Sequence, residues 1–175
     1  MSDSDSTQQL GRYFVWVAWI FVFAILVFVF QGYLDDQYNP NTSPEYALNT
    51  DGSAEVVLEQ NRQGHYLVDG TINAYPVTFL LDTGATQVSI PEHIANQLNL
   101  PRYGQYPVTT ANGSVIVRQT RIDQLTIGNI TLRDVEAHIN PGMRSDEILL
   151  GMSALKRVEF SQRGNRLILK HRKLR

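Results

Sequence analysis

Pro76-Val77-Thr78-Phe79-Leu80-Leu81-Asp82-Thr83-Gly84-Ala85-Thr86 is the stretch on which the reading of this chain turns. Its first half, residues 77–81, is a nearly continuous apolar run with the composition of a strand buried on both faces. Its second half is a loop that opens with a carboxylate. An acidic group at the mouth of a buried strand is expensive to desolvate unless hydrogen bonds hold it. Thr83 offers a hydroxyl beside Asp82, and Gly84 lets the backbone turn tightly with its N–H directed back. Taken alone, Asp82-Thr83-Gly84 also fits an ordinary turn in which Asp82 merely satisfies backbone donors.

Outward from this stretch, turn residues cut the chain into short β-type runs. Upstream, 56–58 and 65–68 read as a hairpin across Asn61-Arg62-Gln63-Gly64, with further breaks at Asp69-Gly70 and Asn73-Ala74. Downstream, 91–98 reads as a short helix, with Pro91 near its first turn and Pro101 beyond its end. The runs 108–110 and 115–117 flank Ala111-Asn112-Gly113-Ser114, and the Asn-Gly pair is a strong hairpin signal. Residues 122–127 and 130–139 alternate apolar and polar across Gly128-Asn129. Residues 147–150 form a second apolar strand, followed by Gly151 and a helical turn at 153–157. Runs 158–160 and 167–169 pair across Arg163-Gly164-Asn165. Many short strands, little helix and no βαβ rhythm predict an all-β barrel-like or sandwich domain over 54–175.

Ahead of that domain, residues 13–30 are eighteen positions without a charge, rich in Phe, Val, Ile and Trp. As a helix rising about 1.5 Å per residue, this run nearly spans a hydrocarbon core of roughly 30 Å. A buried core helix would show polar positions at some period, and this run has none. A cleaved signal peptide fits poorly with the long apolar run, the acidic residues before it and Gln31-Gly32-Tyr33-Leu34, which lacks a small-x-small cleavage site. The expectation is a single transmembrane anchor at 13–30. Arg12 precedes the span and Asp35 and Asp36 follow it. The positive-inside rule therefore puts residues 1–12 in the cytoplasm and the β domain on the non-cytoplasmic side, the periplasm in a bacterium. Residues 31–53, rich in Asn, Asp, Thr and Ser with Pro40 and Pro44, read as a flexible stalk.

Charge and composition remove several classes of function. The formal net charge of −2 argues against a nucleic-acid binder, which concentrates Lys and Arg on one face. With no cysteine, disulfides, thiol catalysis and cysteine-ligated zinc are excluded. His65, His93, His138 and His171 show no ligand spacing, so neither a metal nor another cofactor is expected. Charge is polarised along the chain: residues 1–60 hold one basic and eight acidic residues, and the last twenty hold eight basic residues against Glu159. A basic end of this kind is ordinarily a solvated tail, although beside a bilayer it meets anionic headgroups.

Several blocks, in this order and spacing, decide between turn and active loop. They are Gly70-Thr71-Ile72-Asn73, the stretch 76–86, Thr110-Ala111-Asn112-Gly113, Leu132-Arg133-Asp134-Val135 and Leu149-Leu150-Gly151-Met152-Ser153. Together they resemble the retropepsin-like aspartic proteases, most closely the bacterial membrane-tethered branch of that clan. The resemblance covers roughly 54–170. It implies an acid-protease barrel with one short helix, with Asp82 the catalytic carboxylate of an endopeptidase acting on protein or peptide substrates. Thr83 would bond across a two-fold axis to its symmetry mate, and Gly84 and Ala85 would support the active loop. Ala111, Asn112, Gly113 and Ser114 would form the flap over substrate, and Leu150 and Gly151 would pack beneath the loop. The flap has a single glycine, a departure that implies stiffer opening than in the viral enzymes.

Chemistry adds a demand of its own. Activating water between two carboxyls needs one ionised as base and one protonated as acid. The chain has one Asp-Thr-Gly, so the second carboxyl must come from another copy, and a homodimer is expected. The alternative is a non-catalytic dimeric module of the same fold that binds an extended peptide by strand addition.

Overall fold

The computed structural model describes residues 3–110 and 113–172. The chain forms two compact units, Met1–Gln37 and Tyr38–Arg175. The first consists of helix α1, which runs Asp3–Tyr38. Its stretch Tyr13–Tyr38 is long and apolar enough to cross a membrane. The helix continues past Phe30, where the uncharged run ends, to Tyr38.

The second unit is mostly β. Its elements are β1 Glu45–Leu48, β2 Ala54–Glu59, β3 Leu67–Ile72, β4 Tyr75–Leu81, β5 Val88–Pro91, α2 Glu92–Gln97, β6 Gln105–Thr110, β7 Gly113–Ile127, β8 Ile130–Asn140, β9 Glu147–Leu150, α3 Met152–Leu155, β10 Glu159–Arg163 and β11 Arg166–His171. One sheet has the order β3-β4-β9-β5-β8-β7-β6, and β3 also pairs with β7. That extra pairing, Thr71 to Thr126 and Ile72 to Leu125, closes the sheet into a barrel with β6 hairpinned onto its rim. A second, four-stranded sheet has the order β1-β2-β11-β10. The barrel-like all-β domain expected from the sequence is the fold observed, with α2 and a single turn of α3 as its helices.

The apolar run of the decisive stretch becomes β4, inside the barrel wall between β3 and β9. Phe79 is fully buried and packs in one core with Ile148, Ile90, Ile122, Ile139 and Leu125. Burying a side chain of that size stabilises by roughly 1.5–3 kcal/mol. The core extends beneath the second sheet through Val56, Leu58, Leu167 and Leu169.

Three local expectations are corrected. The hairpin across 61–64 does not form: β2 pairs with β1 and β11, whereas β3 enters the barrel. The buried amide of Asn61 turns the corner between the sheets, accepting from Gln63 N and His65 N and donating to the Tyr38 carbonyl. Asp69-Gly70 is no break but the middle of β3. Gly70 is there for space, because a Cβ would lie 2.3 Å from the Thr126 carbonyl oxygen where the barrel closes. The segment 31–53, expected as a flexible stalk, is structured over most of its length. It holds the end of α1, the buried amides Asn39 and Asn41, and β1. Asn41 explains the difference: its side chain bonds Glu59 N and O and the Leu67 carbonyl, bridging β2 to β3. An Asn-rich composition signals loops because amides compete with backbone partners, and here that competition is what fastens the segment.

Candidate active site

Asp82 follows β4 directly, and the loop after it is held from two sides. Parallel pairing of β4 with β9 sets Leu81 beside Leu150. Asp82 N donates to the Leu150 carbonyl at 3.2 Å, so the loop leaves the barrel wall already anchored. Gly84 N donates to Asp82 Oδ1 at 2.9 Å, the turn expected from the tripeptide, and Ala85 N closes on the Asp82 carbonyl at 3.3 Å. Asp82 is half-buried, Thr83 and Gly84 are exposed, and Ala85 is half-buried. Thr83 thus faces outward from the single chain rather than into its core.

Beneath the loop, Met152 N donates to the Ala85 carbonyl at 2.8 Å and Ser153 N to the Thr86 carbonyl at 3.0 Å. Gly151 makes this possible. A Cβ there would stand 2.2 Å from the Gln87 carbonyl oxygen and 2.7 Å from that of Ala85. Leu150 and Gly151 therefore lie against the loop that follows Asp82.

The β6–β7 hairpin arches from the barrel rim, with Val108 opposite Val115 and Thr110 opposite Gly113. Thr110 Oγ1 donates to the Gly113 carbonyl at 2.8 Å. Gly113 and Ser114 are exposed, whereas Ala111 and Asn112 lie outside the described residues. A cavity of about 250 Å³ opens at the base of the hairpin, lined by Glu92, Gln105, Ile116, Arg118, Ile139 and Pro141. Arg118 and Glu92 pair there at 3.0 Å. Asp82 does not line this cavity.

Sequence reasoning missed three side chains. Tyr106, on β6, donates its hydroxyl to Gln87 Oε1 at 2.9 Å and so ties the hairpin to the loop after Asp82. His138, only 7% exposed, meets the same Tyr106 ring edge-on, 6.2 Å between centroids. Burial lowers the His138 pKa below the ordinary value, because the charged imidazolium is the form that loses most on leaving water. Ser153 is the third: its buried hydroxyl accepts from Val88 N at 3.0 Å and donates to the Glu136 carbonyl at 2.7 Å. Each of these contacts joins residues far apart in sequence that follow no period, so it forms only once the barrel has closed. Among the described residues, His, Asp and Glu side chains do not converge in any group of three or more.

With this geometry in view, likeness to known proteins becomes informative. The family model described as "gag-polyprotein putative aspartyl protease" matches residues 68–157, which hold β3 from its second residue and every element from β4 through α3. The chain belongs to the retropepsin-like aspartic protease family. A crystal structure of a retropepsin-like aspartic protease from Rickettsia conorii is similar, with TM-score 0.58 and 26% identity. The match covers 73% of this chain and 96% of that one. An uncharacterized protein in the cobV 5' region of a Sinorhizobium species is 32% identical over 117 residues, 65% of this chain and 50% of the relative. The uncharacterized protein RP867 of Rickettsia prowazekii is 25% identical over 162 residues, 87% of this chain and 68% of the relative. The matched part thus amounts to half the length of the first of these two relatives. In this retropepsin-like protein, Asp82-Thr83-Gly84 and Leu150-Gly151 are two halves of one small structure joined by main-chain hydrogen bonds.

Proposed function

We propose that the chain is a membrane-anchored aspartic endopeptidase whose working carboxyl pair is two copies of Asp82, brought together across a homodimer. The observation that carries this is a half-buried carboxylate on a loop fixed at both ends, present once per chain. A water between the paired carboxyls gives a proton to the ionised one as it attacks the peptide carbonyl carbon. The protonated carboxyl meanwhile donates to the carbonyl oxygen. Collapse of the tetrahedral intermediate breaks the C–N bond as a proton passes to the leaving nitrogen, and the pair returns to one shared proton. Thr83, exposed at the loop apex, is the residue that meets its symmetry mate. Ala111 to Ser114 close over an extended substrate.

Residues 13–30 anchor the enzyme in the membrane, residues 1–12 lie in the cytoplasm, and the protease domain faces the other side. Confinement to a membrane raises the local concentration of partners and favours pairing. No cofactor, metal or nucleic acid enters the reaction.

The test is mass spectrometry of peptides released from an unfolded protein mixture by the full-length chain in detergent, wild type beside Asp82→Asn. Peptides released by wild type alone support the endopeptidase. Equal, empty digests from a folded dimer favour the peptide-binding module instead.

A further inference from the structure

The apolar run and the folded domain are separated by far less chain than composition suggests. The uncharged run ends at Phe30 and the domain takes hold at Tyr38, so only residues 31–37 lie between. Hydrogen bonds make the hold. Asn61 Nδ2 donates to the Tyr38 carbonyl at 3.0 Å. Asn39 Nδ2 donates at 2.8 Å to Asp69 Oδ1, which also accepts from Thr78 Oγ1 at 2.7 Å. Asp69 N donates to the Asn41 carbonyl at 3.2 Å, and the Asn41 amide bonds Glu59 N and O and the Leu67 carbonyl. Asn39 is 6% exposed and Asn41 2%, so water competes little for these bonds. A hydrogen bond of ordinary strength favours its closed form about two- to tenfold. Releasing this strap breaks several at once and strands buried amides.

The strap also reaches towards the Asp82 loop. The Tyr38 hydroxyl donates to the carboxylate of Glu147, the first residue of β9. Leu150, the last residue of β9, gives its carbonyl to Asp82 N. Three steps of strand separate the two, about 10 Å. Asp82 is therefore held at a short and nearly fixed distance from the point where the chain leaving the apolar run enters the domain.

Chain length then limits reach. Phe30 and Tyr38 are eight residue steps apart, roughly 12 Å as the helix observed over them and no more than roughly 28 Å fully extended. A stalk loose as far as Ala54 would instead allow roughly 80 Å. A site that its tether cannot carry to a target meets an effective concentration near zero, whatever its intrinsic activity.

We infer that the strap turns the tether into a ruler: the substrates of this protein are peptide segments within a few tens of ångström of the bilayer surface, the membrane-proximal parts of other anchored chains. Segments displayed farther out escape even when their sequence is cleavable. This rests on the membrane-anchored endopeptidase proposed above and adds which segments it meets.

Two readouts on the full-length chain in phosphatidylcholine vesicles test the ruler. The first is cleavage of two single-span reporters, placed in the same vesicles, that carry one identical peptide from the Asp82-dependent digest. One holds the peptide directly outside its span, and the other holds it beyond about three folded domains of roughly 30 Å each. Wild type should cut the near reporter roughly fivefold or more faster in vesicles and cut both equally in detergent. A flexible Gly/Ser insert of about forty residues between Gln37 and Tyr38 leaves the strap in place and adds roughly 35 Å of root-mean-square reach. It should raise cleavage of the far reporter about threefold or more in vesicles and change nothing in detergent. The second readout needs no activity. The chain has no cysteine, so a dye on Ser145→Cys, an exposed site just before Glu147, reports energy transfer to labelled headgroups. Transfer should be strong without the insert and weaker with it. Equal cutting of both reporters in vesicles, or transfer indifferent to the insert, overturns the ruler and leaves the protease. Transfer that follows the insert, with no Asp82-dependent cleavage in detergent, removes the protease and leaves the strap.

Discussion

Gly151 lies so close beneath Gln87 that a Cβ on it would stand 2.2 Å from the Gln87 carbonyl oxygen, an approach no side chain tolerates. Its φ of −85° is open to any residue, so glycine is required here for space alone. Gly151→Ala should therefore displace the loop after Asp82 and destabilise the fold by roughly 1–3 kcal/mol. Urea unfolding followed by circular dichroism measures the loss. An unchanged midpoint would mean the loop and β9 are not in contact.

The Tyr106–Gln87 hydrogen bond predicts a different kind of defect. Tyr106→Phe removes a neutral, half-buried hydrogen bond, for which about 0.5–1.5 kcal/mol is typical. We expect kcat/KM for a peptide substrate to fall roughly three- to tenfold, with the change chiefly in KM, because the hairpin is then less firmly set over the loop. A kinetic profile identical to wild type would show that the clasp does not reach substrate.

His138 sets a stability limit on the acid side. Its folded pKa lies below its unfolded value, so the stability it contributes is complete above about 6.5 and declines as pH falls towards the folded pKa. Urea midpoints measured at pH 7 and pH 5 should therefore fall further for wild type than for His138→Gln. Parallel falls would assign the acid sensitivity elsewhere.

Turnover itself should trace a bell against pH. A pair with both carboxyls protonated lacks a base, and a pair with both ionised lacks an acid. A plateau in kcat extending from acid through alkaline pH contradicts two carboxyls with divided roles.

Much of this architecture was legible in the chain itself, for identifiable reasons. Residues 77–81 read as a buried strand because every apolar position there is used, and 147–150 likewise. Their adjacency was suggested by Gly151 alone. Turns with a local cause, such as 128–129 and 163–165, were found where expected. The failures were also local. Asn61 was read as a hairpin turn because composition cannot reveal that its amide ties two different sheets at their corner. Asn39 and Asn41 looked like solvated stalk for the same reason, since an amide that bonds water and one that bridges strands are spelled alike. Tyr106, Gln87 and His138 carried no signal at all, because their contacts exist only once β6 and β8 are folded against the loop.

The claim that two chains share one active centre is tested most directly by mixing. Wild type and Asp82→Asn are combined at equal amounts and constant total concentration, well above the dimer dissociation constant, and allowed to exchange before cleavage is assayed. Asn is nearly isosteric with Asp but cannot take the proton from the attacking water, so mixed dimers form and are inactive. Only dimers with two wild-type copies remain, and activity should drop to about a quarter of the all-wild-type value. Activity of about a half would mean that each chain works alone, contradicting the shared carboxyl pair.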